Sequence, residues 1–497
     1  MNTIHLKYVD EVYCRVECEA GILMELADHL TYFAENYKYH PRFKAKVWDG
    51  KICLVNRLSR LVYRGLSQRI KKFCDERNYT LTFDDEFLYE NVSVKEVEEH
   101  LESLNLPDWL EIRDYQVDSI VKCLRSKRRT LLSPTSSGKS FMIYAIHTWY
   151  RKKTLIIVPT IGLVRQMESD FRSYGFKGKI HTSLDSLSKD FDIDADVVIT
   201  TWQSLHQGPK RQMPKPWYNQ FEVVFGDEAH GAKAASLIAI LSNMVNTPYR
   251  FGTTGTLDEH PLNQATIEGL FGPKYKAITT AELMEKGSVT KLKIKCLVLT
   301  YPEEVRKEFN KPVIDSKTGR PRPKNYQEEI DFLIDYDKRT DYIKNLALSL
   351  KGNKLVFFRI IDHGKAIYDR IKNSDCPNVF YIDGGVSGEQ REAIRHAIED
   401  EHNAILVASL GTTSTGISIN KLHHMIAASP SKSKIKVLQS IGRMLRLHES
   451  KEEAILYDIV DNLTWKSHAN FTYKHFLERV KIYESEKFDY KVYNLGL

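Results

Sequence analysis

Thr130-Leu131-Leu132-Ser133-Pro134-Thr135-Ser136-Ser137-Gly138-Lys139-Ser140-Phe141 is the stretch that decides the architecture. A short apolar run enters a polar turn, and an apolar stretch with helical spacing, 141–150, leaves it. Strand, loop and helix in that order are the setting in which Gly-x-x-x-x-Gly-Lys-Ser/Thr holds a nucleotide. Backbone N–H groups of such a loop and of the helix start surround a phosphate. Lys139 would neutralise β- and γ-phosphate charge and Ser140 would hold Mg2+. The first motif position is Ser133 rather than glycine, so the match alone is also compatible with a polar loop that caps a helix.

Downstream of the loop, short apolar runs alternate with helical patterns at 154–158, 196–200, 222–225 and 249–253. Strands separated by helices argue for a parallel sheet covered on both faces. The same alternation returns at 354–358, 379–382, 404–408, 425–428 and 454–458, which predicts a second, related lobe. The strand ending at Phe225 runs into Gly226-Asp227-Glu228-Ala229-His230. Acids at the carboxyl end of such a strand face the ligand crevice of an open α/β sheet. Asp227 would bind Mg2+ and Glu228 would orient or deprotonate an attacking water.

These motifs resemble motifs I and II of superfamily 2 helicases, and the others follow in order. Arg113-Asp114-Tyr115-Gln116 resembles the adenine-reading segment, with Gln116 as base reader; Pro159, Thr160 and Arg165 fall in motif Ia. Thr201-Trp202-Gln203 resembles the next strand-contacting motif, and Thr254-Gly255-Thr256 resembles motif III, which with His230 implies coupling of ATP to nucleic acid. Motif V is matched by Thr415-Gly416-Ile417, with Ser418 where many relatives have Asp. Motif VI is matched by Gln439-Ser440-Ile441-Gly442-Arg443-Met444-Leu445-Arg446. The resemblance implies two tandem RecA-like lobes, ATP held by Thr135, Ser136, Ser137, Gly138, Lys139, Ser140 and Gly416, a catalytic role for Gln439, and Arg443 and Arg446 as arginine fingers. Tyr39-His40-Pro41-Arg42-Phe43, Trp48-Asp49-Gly50 and Tyr326-Gln327-Glu328-Glu329-Ile330 narrow the likeness to the UvsW family of phage recombination helicases. That family implies branch migration at forks and Holliday junctions, strand reannealing and unwinding of RNA–DNA hybrids.

Ahead of the motor lies a small α/β module, 1–105, with alternating strand-like residues at 4–18, a helix over 21–33, a second helix over 67–74 and an acidic close from Glu96 to Glu102. Between Asn36 and Lys72 eleven cations face a single acid, Asp49, and aromatics interleave with them. Cations meet phosphates, whereas the aromatics can pack in a core or stack on bases. Arg42, Lys44, Lys46, Trp48, Arg57, Arg60 and Arg64 are the candidate contacts to duplex or branched DNA or an RNA–DNA hybrid. The expected division is 1–105 for the module, 106–290 for the first lobe, 291–345 for a linker with a flexible insertion, and 346–497 for the second lobe with its C-terminal helix.

The chain has 497 residues, a net charge of +7 and a hydrophobic content of 42%, enough for several cores and mildly basic. Its seven cysteines show neither a Cys-x-x-Cys pair nor zinc spacing, no apolar run is long enough to span a bilayer, and the N-terminus lacks the form of a signal peptide. The expectation is a cytoplasmic protein, in the bacterial host if phage-encoded, acting on DNA as a monomer with ATP and Mg2+. The rivals are an RNA helicase, which usually carries a longer C-terminal extension, a restriction-type translocase, for which 1–105 offers no nuclease constellation, and a strand-annealing scaffold with a decayed motor.

Overall fold

The computed structural model describes residues 2–182, 193–206, 213–233, 235–257, 259–316, 318–374, 378–410, 419–429 and 433–497. It divides into two compact units, Met1–Ile278 and Thr279–Leu497.

The first unit begins with a four-stranded sheet ordered Leu61–Tyr63, Tyr13–Glu17, Thr3–Tyr8, Thr80–Phe83. Alternation puts Ile4, Leu6, Cys14 and Val16 on one buried face, against Leu23 and Leu26 from the helix Ala20–His29 and Phe73 from the helix Ser67–Arg77. Each such side chain contributes about 1.5–3 kcal/mol of burial free energy. The first helix stops at His29, short of the expected residue 33. Thr31 donates back to the Ala27 carbonyl (2.6 Å), and Thr31–Phe33 pairs as a strand with Lys51–Cys53. The aromatics split: Tyr37 lies between Phe33 (4.5 Å) and Phe43 (4.9 Å), and Trp48 meets His40 edge-on, while Tyr39 is 74% exposed.

The acidic stretch that the sequence assigns to the module belongs elsewhere. Val94–Glu102 is a helix with a full capping box from Ser93 and Glu96, and its Val97 and Leu101 enter the core of the first lobe. The module is joined to that lobe by buried charge. Glu11 accepts from Arg64 and from Arg128 (2.7 Å), and Glu268 takes Arg69 on both oxygens. Gly65 sits so close to the backbone of Glu268 and Gly269 that a Cβ has no room there.

The first lobe is a seven-stranded, all-parallel sheet ordered Lys274–Lys276, Arg128–Leu132, Tyr249–Thr254, Val223–Asp227, Thr154–Val158, Val197–Thr201, Ile180–His181. Its two faces carry separate apolar clusters, one around Phe141 and Ile156, the other around Trp217 and Phe271.

The second unit is another seven-stranded parallel sheet: Val379–Ile382, Ile405–Ser409, Lys354–Phe358, His424–Ala427, Glu453–Asn462, Lys291–Thr300, Asp489–Gly496. One of these strands departs from the expected division. Lys291–Thr300, placed in a linker by the sequence, lies within the sheet, because its alternating half and its apolar half both bury side chains there. Asp489–Gly496 follows the C-terminal helix Phe471–Ser485 and adds the edge strand. Part of the expected flexible insertion folds as well: Val313–Ile314 pairs with Pro321–Arg322, and Arg322 holds Glu328 at 2.8 Å. Among the described residues no helix is long and apolar enough to cross a membrane, and no cluster of three metal-ligating side chains occurs.

Candidate nucleotide site and nucleic-acid interface

The loop hangs between the strand Arg128–Leu132 and the helix Lys139–Tyr150. Ser136 and Gly138 take left-handed backbone conformations (φ 66° and 79°), which turn successive N–H groups to one side. At Gly138 a Cβ would also run into the Gln116 amide. Ser133, in place of the usual glycine, has become a brace: its buried hydroxyl meets Ser137 Oγ at 2.5 Å, and Ser137 Oγ donates to Pro134 O at 2.7 Å. Lys139 Nζ donates to Ser133 O at 3.3 Å, across the loop. Thr135 and Ser140 are half-buried, the latter with its hydroxyl 2.9 Å from Tyr174 OH.

Gln116 is tied into the loop. Its Oε1 accepts from Arg113 N (3.0 Å) and its Nε2 donates to Ser137 O (3.0 Å), where Tyr115 OH also donates (2.9 Å). Arg113 reaches Ser136 O at 3.4 Å. The residues expected to read adenine thus hold the phosphate loop.

Asp227 ends the strand Val223–Asp227, one strand removed from the loop strand, with Tyr249–Thr254 between them. Thr253 Oγ1 donates to Asp227 Oδ1 at 2.7 Å. Glu228 sits at φ 51°, an uncommon conformation for a residue with a side chain and typical of functional turns. Its Oε2 lies 3.2 Å from His230 Nδ1 and 3.4 Å from Thr254 Oγ1. Thr254 Oγ1 is also 3.0 Å from His230 Nδ1, donates to Thr256 O (2.8 Å) and accepts from Thr256 N (3.4 Å). Motifs II and III are therefore one hydrogen-bonded cluster. Burial, then the neighbouring Glu228 charge, raises the Asp227 carboxyl. Burial opposes ionisation of Glu228 too, but Lys139 and His230 outweigh it and hold that carboxyl down to about 2. Two crowded carboxylates that both feel the Lys139 charge are oxygen donors of the kind a divalent cation takes.

The strand-contacting motifs also meet. Thr154–Val158 and Val197–Thr201 are adjacent, with Val158 opposite Thr201. Thr160 caps the helix Ile161–Ser173 and Thr201 caps Trp202–Leu205, each through its hydroxyl. Gln203 Nε2 reaches Pro159 O at 3.4 Å, while Trp202 packs against the core below and Arg165 is exposed. Two capped helix starts thus lie at the carboxyl ends of adjacent strands.

In the module, Arg42, Lys44 and Lys46 are exposed and pair with no carboxylate among the described residues. Trp48 is half-buried, donating to Lys51 O (2.9 Å). Arg57 is spent on Asp28 (2.8 Å) and Arg60 on the Cys18 carbonyl (3.1 Å). Arg64 corrects the sequence reading. It is 5% exposed, lies beside the Tyr8 and Phe87 rings and bonds Glu11 and the Glu86 carbonyl, so it serves the seam with the first lobe and not a nucleic acid.

In the second unit, Gln439 and Arg443 lie on the helix Lys434–Met444, with their side chains outside the described part; Arg446 follows, half-buried. Motif V spans Leu406 to Ile419, and its residues 411–418, Gly416 among them, are outside the described residues. His423 and His424 are ordinary strand-edge groups: His423 Nδ1 accepts from Asn353 N (3.1 Å).

A loop built for phosphate beside paired acids, with a second parallel sheet carrying an arginine helix, defines a P-loop motor of helicase superfamily 2. Three family models match in order: DNA helicase UvsW, N-terminal (residues 3–84), type III restriction enzyme, res subunit (109–259), and helicase conserved C-terminal domain (337–448). The chain is 36% identical to the ATP-dependent DNA helicase UvsW of Enterobacteria phage T4, over 99% of this chain and 100% of that one. The crystal structure of T4 UvsW is similar over 99% of both chains, at 32% identity and a TM-score of 0.51. A DNA 3'-5' translocase XPB2 of Sulfurisphaera tokodaii is 25% identical over 78% of this chain and 89% of its own. The chain belongs to the UvsW family of superfamily 2 helicases.

Proposed function

We propose that the chain is an ATP-dependent DNA helicase that remodels branched DNA, namely forks, four-way junctions and RNA–DNA hybrids, in recombination, repair and replication. The observation that carries the reading is the cluster Glu228, His230 and Thr254, charged by Lys139, in a unit whose N-terminal module exposes unpaired cations. Lys139 and the loop N–H groups hold the ATP phosphates, Ser140 and Asp227 hold Mg2+, and Glu228 orients the attacking water. Mg2+ held there by Ser140 and Asp227 would supply positive charge to the phosphates and to the crowded carboxylates. Arg443 and Arg446 stabilise the charge that develops on the transferred phosphate. Thr254 links that chemistry to Thr256 and His230, and the helix starts at Thr160 and Thr201 take backbone phosphates. Arg42, Lys44 and Lys46 grip duplex DNA electrostatically. The protein works as a monomer on DNA, in the bacterial cytoplasm.

Steady-state ATPase with no nucleic acid, single-stranded DNA, linear duplex, forked or four-way DNA, and RNA tests this, with Glu228→Gln as the blank. Branched DNA is expected to stimulate most, and Glu228→Gln to abolish turnover while DNA binding persists. Stimulation by RNA alone would replace the DNA reading, and retained turnover in Glu228→Gln would remove the site assignment.

A further inference from the structure

The helix Lys434–Met444 ends on Leu445, and Arg446 follows at once. The last carbonyls of a helix have no partner within it and must find one elsewhere. Here the carbonyls of Met444, Leu445 and Arg446, at that end and just beyond it, are taken by residues outside the helix. Lys451 Nζ donates to Met444 O at 2.7 Å, Thr290 N donates to Leu445 O at 2.8 Å, and Thr290 Oγ1 donates to Arg446 O at 2.9 Å. Lys451 Nζ also donates to Asn420 O at 3.1 Å, directly after motif V. A single ammonium therefore bridges the chain that leaves motif V and the chain that leaves motif VI.

Both anchors are buried, Thr290 at 3% and Lys451 at 6% exposure. Lys451 has no carboxylate within ion-pair distance among the described residues. Burial, and then the charge of Arg446, pull its ammonium down to about 8. A buried cation without a counter-ion, close enough to a second cation to feel it, is unfavourable for folding alone, and an apolar side chain of similar length would pack more cheaply. What the ammonium supplies is two hydrogen bonds to orphan carbonyls and positive charge at the negative end of the arginine helix. Thr290 ends the segment that follows Ile278, where the chain passes from the first unit to the second, and it leads directly into the strand Lys291–Thr300.

We infer that Lys451 and Thr290 are positioning residues for ATP hydrolysis, fixing the backbone from which Arg446 projects and binding it to the ends of motif V and of the inter-unit segment. The inference rests on the reading of Arg446 as a phosphate-stabilising arginine. Neither anchor touches the nucleotide; each acts through the Arg446 backbone.

The test is DNA-stimulated ATPase of the full chain, with kcat and KM separated, for Arg446→Ala, Lys451→Met, Thr290→Val, Thr290→Ser and the double variant Lys451→Met/Arg446→Ala. Loss of a hydrogen bond that holds a catalytic group should lower kcat about tenfold in Lys451→Met and Thr290→Val. The KM for ATP and DNA affinity should stay within about threefold, and Thr290→Ser, which keeps the hydroxyl, should restore the rate. The double variant should be no slower than Arg446→Ala, because the anchors work through the same residue. Unchanged turnover in Arg446→Ala would remove the arginine reading itself. A slow Arg446→Ala alongside wild-type kcat in both anchor variants would overturn the positioning role, and so would anchor losses that add fully to that of Arg446→Ala. Should Lys451→Met fail to fold, the contrast between Thr290→Val and Thr290→Ser decides.

Discussion

At the carboxyl edge of the first sheet, carboxylates meet hydroxyls and an imidazole; within the second unit, they meet arginines. Asp227 takes Thr253, and Glu228 takes His230 and Thr254. In the second unit Asp461 is locked bidentately by Arg339 (2.7 and 2.9 Å) with Tyr301 OH donating as well (2.9 Å), and Asp458 is locked by Arg479 (2.9 and 2.8 Å) with Tyr483 OH (2.9 Å). The first arrangement orients each acid through single hydrogen bonds and, among the described residues, has no arginine locked onto it. The second cancels charge on the spot and holds structure.

The largest expected effect breaks the second arrangement. Arg479→Leu leaves Asp458, almost fully buried, without its counter-ion, and should remove about 3–5 kcal/mol of stability. Denaturant unfolding reads this directly, and a loss below about 1 kcal/mol would show that the pair is no lock. A smaller effect sharpens the first arrangement. Thr254→Val keeps shape but deletes the hydroxyl shared by Glu228, His230 and Thr256. Hydrogen bonds to charged groups are worth about 1.5–3 kcal/mol, so kcat should fall about 10–100-fold with the KM for ATP nearly unchanged. An unaltered kcat would mean that Thr254 only packs.

The first arrangement was readable in the sequence and the second was not, for a physical reason. Phosphate, Mg2+ and water impose residue types at fixed spacing, so Lys139, Ser140, Asp227 and Glu228 announce themselves within two short motifs. Structural charge obeys no such spacing. Nothing near Arg64 in sequence points to Glu11, and burial alone separates it from Arg42, a cation of the same run. Arg339 and Asp461, or Thr290 and Arg446, meet only because a parallel sheet brings distant strands together. The strand Lys291–Thr300 did carry a signal: Leu292, Ile294 and Cys296 alternate with three lysines before an apolar run. Its place downstream of the first sheet suggested a linker, although a strand contributed from outside its own lobe's sequence block is equally consistent with the pattern.

The smallest effect compares the two units through pH. His147 in the first unit pairs with Thr154 Oγ1 (2.8 Å) near the start of a strand, away from the catalytic edge. His363 in the second faces Arg339 (3.3 Å) and Ser429 (3.3 Å), the latter just beyond a strand's carboxyl end. Burial lowers His147 to about 4; burial, then the Arg339 charge, lowers His363 to about 3. In the unfolded chain both titrate near 6.5, so below that pH the unfolded state takes up protons that the folded state refuses. Stability must therefore fall on acidification from about 6.5 towards 4, by about 1.4 kcal/mol per pH unit for each such histidine. Between pH 6.5 and 5 most carboxylates are still ionised in both states, which makes this the window to read. His147→Gln and His363→Gln should each flatten the slope of unfolding free energy against pH by one proton. Because both imidazoles stay neutral in the folded protein over this window, neither variant should change the shape of the kcat profile against pH. A slope left unchanged by either substitution would show that the imidazole concerned takes up no extra proton on unfolding.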